Sequence, residues 1–247
     1  MAESSYIGKG TIYVGTQDGT DALVSIGNCS NLALSFEENS VELRDFTSAG
    51  GGLANSIRTI SSVSAAMTLH DLTADNLAKV LRADTSAVTA GAVSDESHTG
   101  YHGGLIKLNK LPDTTTIVVT SDPAGTTYVE NTDYTVTRAG VIILSTGSIG
   151  DGDPLLISYT SKAGNLVQAL TQSGLEFRMV FDGLNEAQSG RPVSIEVFRL
   201  KFGPAQNIGF IGEEFAGLEL TADILQDASK SGAGISQYFT VELADAA

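Results

Sequence analysis

No tryptophan occurs in this chain of 247 residues, and cysteine occurs once, at Cys29. A single cysteine excludes an intramolecular disulfide, and a free cysteine between two strand patterns reads as a small buried residue rather than a nucleophile. Proline is scarce, at 5 residues, which argues against a rigid linker. Basic residues are outnumbered, 14 against 29 acidic ones, for a formal net charge of −15. That balance argues against a nucleic-acid-binding face, because phosphate contacts need clustered Lys and Arg. No apolar run approaches the ~20 residues of a membrane span. The start, Met1-Ala2-Glu3-Ser4-Ser5-Tyr6, has neither the basic nor the apolar stretch of a signal peptide. A soluble protein made in a cytoplasm is expected, with no membrane association.

What the chain does have is strand pattern. Leu32, Leu34 and Phe36 alternate with small or polar neighbours, as do Val41 and Leu43. The longest alternation places Ile57, Ser61, Val63, Ala65, Met67 and Leu69 on one face. Leu175, Phe177, Met179 and Phe181 oppose Glu176, Arg178 and Asp182. Period-2 patterns of this kind indicate antiparallel sheets with one buried face. In Val193–Phe202 the apolar set changes from odd positions to even ones. Such a phase change predicts a bulge, or a strand crossing between sheets. One helix is predicted at 74–82: Thr73 is its N-cap, Leu72 and Leu77 a hydrophobic staple, and Leu77, Val80 and Leu81 its apolar stripe. The fold class is therefore mainly β (α+β), a pair of packed antiparallel sheets with one flanking helix.

A second β-rich segment interrupts the first. Between 114 and 160, Thr115–Val119, Asp133–Val136, Val141–Leu144 and Leu155–Tyr159 read as short strands, punctuated by Gly-rich turns. Residues 101–165 carry 4 basic and 6 acidic side chains, against 5 and 12 before them and 5 and 11 after them. A near-neutral, β-sandwich-like cassette at 100–162 is expected inside an acidic host domain made of 1–99 and 163–247.

The search for reaction chemistry turns up no constellation, so neither an enzyme nor a bound cofactor is expected. His98 and His102 are four apart, but their surroundings are Gly-rich and no third metal ligand stands at a suitable spacing. Asp18-Gly19-Thr20-Asp21 and Asp151-Gly152-Asp153 lack the distal Glu of a calcium loop and read as turns. Glu37-Glu38 and Glu213-Glu214 would point to opposite faces of a strand. The Gly-rich segment at 45–57 contains three consecutive glycines, which are costly to order. It has no Lys-Ser or Lys-Thr after it, so a phosphate loop is excluded. Two readings stay open: a slack hairpin tip, or an arm that orders against a neighbouring subunit.

Several segments, in order, resemble the major tail tube proteins of long-tailed (siphophage-type) bacteriophages. They are Gly8–Gly15, Ile26–Cys29 with Leu32–Phe36, the helical stretch Leu69–Ala78, then Phe181–Asn185, Val197–Pro204 and Gln237–Val241. The order and spacing of these segments carry the likeness, and it covers most of the chain. The cassette, with Thr127-Tyr128-Val129 and Thr132–Val136, resembles a module found in phage tail proteins.

The resemblance implies a structural virion protein, assembled in the host cytoplasm, whose hexameric rings stack into the tail tube that conducts DNA. Partners would be further copies of the chain, the tape measure, the tail terminator and the distal tail protein. On this likeness Phe46, Gly50, Gly51, Gly52 and Leu53 belong to an inter-subunit arm. Glu176, Asp182, Glu196, Glu219 and Asp223 are candidates for an acidic lumen. Six copies would carry about −90 charges, repelling phosphates so that DNA slides without specific binding. The alternative from another class is a virion decoration or cell-surface protein that binds carbohydrate through the cassette. Against it, no exposed aromatic pair and no Trp offers a sugar-stacking platform.

Overall fold

In the computed structural model, which describes residues 5–205 and 207–245, the apolar alternation becomes strand after strand. The chain divides into two units, Met1–Thr85 with Val167–Ala247, and Ser86–Leu166. The first begins with β1 (Gly8–Thr16), β2 (Val24–Ser25), β3 (Cys29–Arg44), β4 (Leu53–Leu69) and helix α1 (Ala74–Leu81). The chain leaves it through β5 (Asp84–Val88). The second unit holds β6 (Gly91–Thr99), β7 (Leu105–Lys107), β8 (Val118–Ser121), β9 (Tyr134–Val136), β10 (Gly140–Ile143) and β11 (Pro154–Ser161). The chain returns through β12 (Gly164–Gln168) and completes the first unit with β13 (Phe177–Asn185), β14 (Arg191–Phe202), β15 (Leu218–Ile224) and β16 (Phe239–Leu243). Strands β5 and β12, the two crossings, pair with each other.

The first unit is mainly β, and its two layers are leaves of one hydrogen-bonded sheet. Its strand order is β2-β1-β13-β14-β15-β4-β3, with β16 also paired to β14. The fold-over occurs at the expected phase change. Phe177 faces Leu200 and Met179 faces Val197, so Phe198 and Arg199 together oppose the single residue Arg178. That bulge bends β14 and changes its neighbour: Val193–Val197 pair with β16, Leu200–Phe202 with β15. The inner faces then close on Val14, Met67, Met179, Leu200 and Leu218, all almost wholly buried. Phe198, counted from the sequence with the even set, lies at the bulge outside this core, and the Lys230 ammonium sits 4.7 Å over its ring.

Helix α1 covers part of this core, capped by Thr73, whose hydroxyl accepts from the Asn76 amide at 3.1 Å. Its buried positions are Asn76 and Val80, while Leu77 and Leu81 are only half-buried and Leu72 is exposed. The expected stripe is rotated because the Asn76 amide donates to the Ile26 and Asp71 carbonyls at 2.8 and 2.9 Å, turning that side inward. At the other end Arg82 donates twice to the Phe202 carbonyl, tying the helix to the end of β14.

The second unit is a small sandwich of two three-stranded sheets, β7-β10-β9 and β6-β11-β8. Val119, Val141, Leu155 and Ile157 are completely buried in it. It is wider on both sides than the expected 100–162, because β6 pairs along most of β11 and Val93 packs on its core. The strand expected at Thr115–Val119 starts later, at Val118. Asp113 holds the preceding residues in a turn, its carboxylate accepting from the Thr115 amide and its carbonyl from the Thr116 amide.

Each unit has its own core, so damage in one should be felt there first. Replacing Leu155 by Ala should cost about 3 kcal/mol of cavity and transfer energy. In hydrogen exchange we expect faster opening of β8 and β11 amides and no change in the β13–β14 ladder; equal acceleration of both would count against independent cores.

Candidate assembly surface

Strands β3 and β4 are 16 and 17 residues long, about three times a common strand length. Strand β15 pairs only with Ser64–Leu69 of β4. From Leu53 to Val63, β4 is partnered by β3 alone, so the distal half of the hairpin stands free of the sheet among the described residues. A two-stranded ribbon is marginal on its own in water, and this one carries apolar side chains on both faces.

Those faces follow from a register shift. Glu37 faces Ser62 but Glu38 faces Ile60, so Ser61 is an extra residue. Cross-strand partners share a face, and a one-residue bulge changes the phase of everything beyond it. Val63, Phe36 and Ile60 therefore lie on the core side of the ladder. The Val41–Ile57 pair, with Leu43 two residues on, lies on the opposite side. The expected run from Ile57 to Leu69 on one face is corrected accordingly. Val41 is 68 % exposed and Ile57 62 %.

The Gly-rich segment is not a slack loop over 45–57. Leu53–Ile57 belong to β4 and pair with Val41–Arg44, leaving only Asp45–Gly52 as the tip. The tip is closed by its own bonds. The Asp45 amide donates to the Gly52 carbonyl at 2.7 Å, and the Asp45 carboxylate accepts from the Thr47 amide and from the Thr47 and Ser48 hydroxyls. The Ser48 hydroxyl, then Thr47, lower the Asp45 pKa to about 2. Gly50 and Gly51 have φ of +105° and +39°, whereas Gly52 has an ordinary φ and open space where a Cβ would stand. Only the first two glycines are demanded by the backbone. Phe46 projects from the tip 86 % exposed, and Leu53 is also exposed at its base.

The five candidate lumen carboxylates do not form one surface. Glu176 is committed to Arg199, whose Nε and Nη2 donate to its two oxygens at 2.7 Å, and this contact lowers its pKa. Asp182 and Glu196 are exposed on the outer side of the β13–β14 leaf, where Glu242 of β16 lies opposite Ser194. Glu219 and Asp223 are exposed on the outer side of β15 and pair with Thr68 and Ser64 of β4. Apart from Glu176, the candidates thus lie on the outer sides of two stretches of the ladder, β13–β14 and β15.

The sequence reading missed a second apolar segment. Between β14 and β15, Phe210, Ile211 and Phe215 are strongly exposed around Glu213 and Glu214. Its signal was there: three large apolar residues in a Gly-rich stretch with no strand alternation.

Elsewhere the candidate ligands serve local structure. Cys29 is half-buried, with burial raising its thiol pKa. His98 is on strand β6 rather than in a loop, and its Nε2 meets Glu96 Oε1 at 2.7 Å. Glu96 also accepts from the Tyr159 hydroxyl and the Asn109 amide. His102 Nε2 meets the Ile149 carbonyl at 2.8 Å. Asp151 and Asp153 accept from the His102 and Gly150 amides. No cluster of three His, Cys, Asp or Glu side chains occurs among the described residues.

Residues 5–242 match a family described as Protein of unknown function UCP028589. The chain belongs to that family. Comparison with curated proteins gives no match. The family match runs through the hairpin, the second unit and the closing strands alike.

Protonating Asp45 removes an acceptor from the tip. Because its folded pKa is depressed, the tip's hydrogen bonding is complete above about pH 4 and is lost as pH falls towards 2. We expect amide exchange in Asp45–Gly52 to speed up across that window relative to the β3–β4 ladder. Asp45→Asn should abolish most of the pH dependence.

Proposed function

We propose that this chain is a structural protein that assembles with copies of itself into rings, and that the rings stack into a phage tail tube. The observation that carries this reading is the free hairpin β3–β4. It exposes Val41, Leu43, Phe46, Leu53, Ile57 and Ile60 on a ribbon that, among the described residues, has no further strand partner beyond Val63. Soluble monomers seldom expose so many large apolar side chains on the two faces of one ribbon, and a long exposed strand edge invites pairing with other chains. Covering a side chain of that size is worth about 1.5–3 kcal/mol gross, which supports a lasting contact with another subunit after the costs of association.

The resemblance to siphophage tail tube proteins supplies the rest: hexameric rings, a tape measure inside, and terminator and distal tail proteins at the ends. The charge is consistent with a DNA conduit. With −15 per chain, and Asp182, Glu196, Glu219, Asp223 and Glu242 on outer sheet faces, an acidic bore would keep phosphates from sticking. The bore would be lined by one of these outer faces.

Negative-stain imaging and sedimentation of the purified protein test the proposal. Rings or tubes are expected from the natural sequence. The double substitution Val41→Asp/Ile57→Asp should leave a folded, soluble monomer with little change in thermal stability. A natural protein that stays monomeric at high concentration, or a double variant that assembles normally, would remove the basis for this reading.

A further inference from the structure

The inner side of the β14–β16 leaf is not covered to its end. Val193 is buried and Ile195 half-buried, but their partners on β16, Leu243 and Val241, are 67 % and 48 % exposed. With Tyr6 and Pro192 they line an open groove, and Gln188, Arg191 and Asp245 supply polar groups to it. Further along β16 the Phe36 ring, at the hairpin's root, stacks on Phe239 with centroids 5.8 Å apart. Ile60 on the hairpin and Val241 on β16 are both left facing water.

We propose that this groove receives the distal hairpin of a second copy of the chain, so that subunits join head to tail. The inference rests on the self-assembly reading and adds the acceptor and the symmetry of the contact. Three observations select the hairpin as occupant. First, Val41, Leu43 and Ile57 lie on the ladder face opposite Phe36, so they point away from their own β16, and the hairpin cannot cover them by bending onto its own groove. Second, the chemistry already works within one molecule, since the root of the same hairpin packs an aromatic ring on the same strand β16. Third, both surfaces are apolar and open: Val41, Leu43 and Ile57 on the hairpin face and Tyr6, Val241 and Leu243 in the groove are all exposed, and a specific contact between them should bury about 1,000 Å² in total or more.

Donor and acceptor are different surfaces of one chain. Such a contact is heterologous: it closes into a ring when the rotation allows, and otherwise runs on as a filament. A reciprocal exchange of hairpins between two copies would instead stop at a dimer, so natural protein of twice the monomer mass that grows no further would overturn the head-to-tail arrangement.

The test uses two full-length variants. Val41→Asp/Ile57→Asp spoils the hairpin and keeps the groove, whereas Val241→Asp/Leu243→Asp spoils the groove and keeps the hairpin. Each alone should sediment as the 25.6 kDa monomer. Mixed in equal amounts they should form a single complex of about twice that mass and grow no further. Natural protein that forms rings while the mixture stays monomeric would overturn the groove and leave the assembly reading standing. A second measurement does not depend on how the aspartate variants fold. In a Cys29→Ser background, a chain with Leu43→Cys and a chain with Leu243→Cys should cross-link to each other on mild oxidation, and neither to itself. Cross-linking of Leu43→Cys chains to one another, or no cross-link in assembled protein, would overturn the proposal. Natural protein that stays monomeric and gives no cross-link would sink both readings.

Discussion

The extra residue that β14 carries opposite Arg178 is the constraint on which the larger unit depends. A strand with an unbroken alternation would present Val193 and Phe202 to opposite sides of one flat sheet. The bulge restores phase, so Val197 and Leu200 reach the same core, and it bends the strand enough for β15 and β16 to take successive stretches of its free edge. One continuous ladder thereby becomes both walls of the core. The helix is fixed by the same strand end, through the Phe202 carbonyl that Arg82 grips. Shifting that bulge by one residue would turn the inner face of a leaf towards water.

The second consequence of register lies in the hairpin. Ser61 does for β4 what the β14 bulge does for the sheet, but with the opposite effect. It turns an apolar face away from the molecule instead of towards its core. Proteins usually blunt such edges with Lys, Pro or twist. Here β3 contains no Lys and no Pro, and its charges are Glu37, Glu38, Glu42 and Arg44. The Glu38–Arg58 ion pair is long, at 3.8 Å, and well exposed, so it adds little to the ribbon's stability. The ribbon persists through backbone pairing, and its side chains are left for something else to bury.

Much of the fold was legible because period-2 alternation and helix capping are local. Thr73 as a cap, the phase change in Val193–Phe202 and the inserted β segment are all written in neighbouring residues. What could not be read was pairing. Ile57 looked continuous with Val63 because a bulge at Ser61 leaves no mark in composition; it is defined only by the partner strand. Spacing makes Leu77 an expected inner residue of the helix, yet Asn76 takes the position through hydrogen bonds to Ile26 and Asp71, one of them fifty residues away. The five candidate lumen carboxylates occupy polar positions of alternating strands. Which sheet face each occupies, and that Glu176 is already held by Arg199, depend on the folded-over topology. The hairpin's length, by contrast, could have been seen: Val41, Leu43, Ile57 and Ile60 extend a strand pattern well beyond what one sheet width can cover.

The pairing of β5 with β12 has a bearing on how such a chain diversifies. Paired strands run about 5 Å apart, so the chain leaves the larger unit and comes back to it through two adjacent doorways. Any module whose own ends lie that close together can be spliced there with no change to the strands on either side. The second unit is therefore entered and left through neighbouring strands, the arrangement in which a compact module can be carried without altering the fold of the rest.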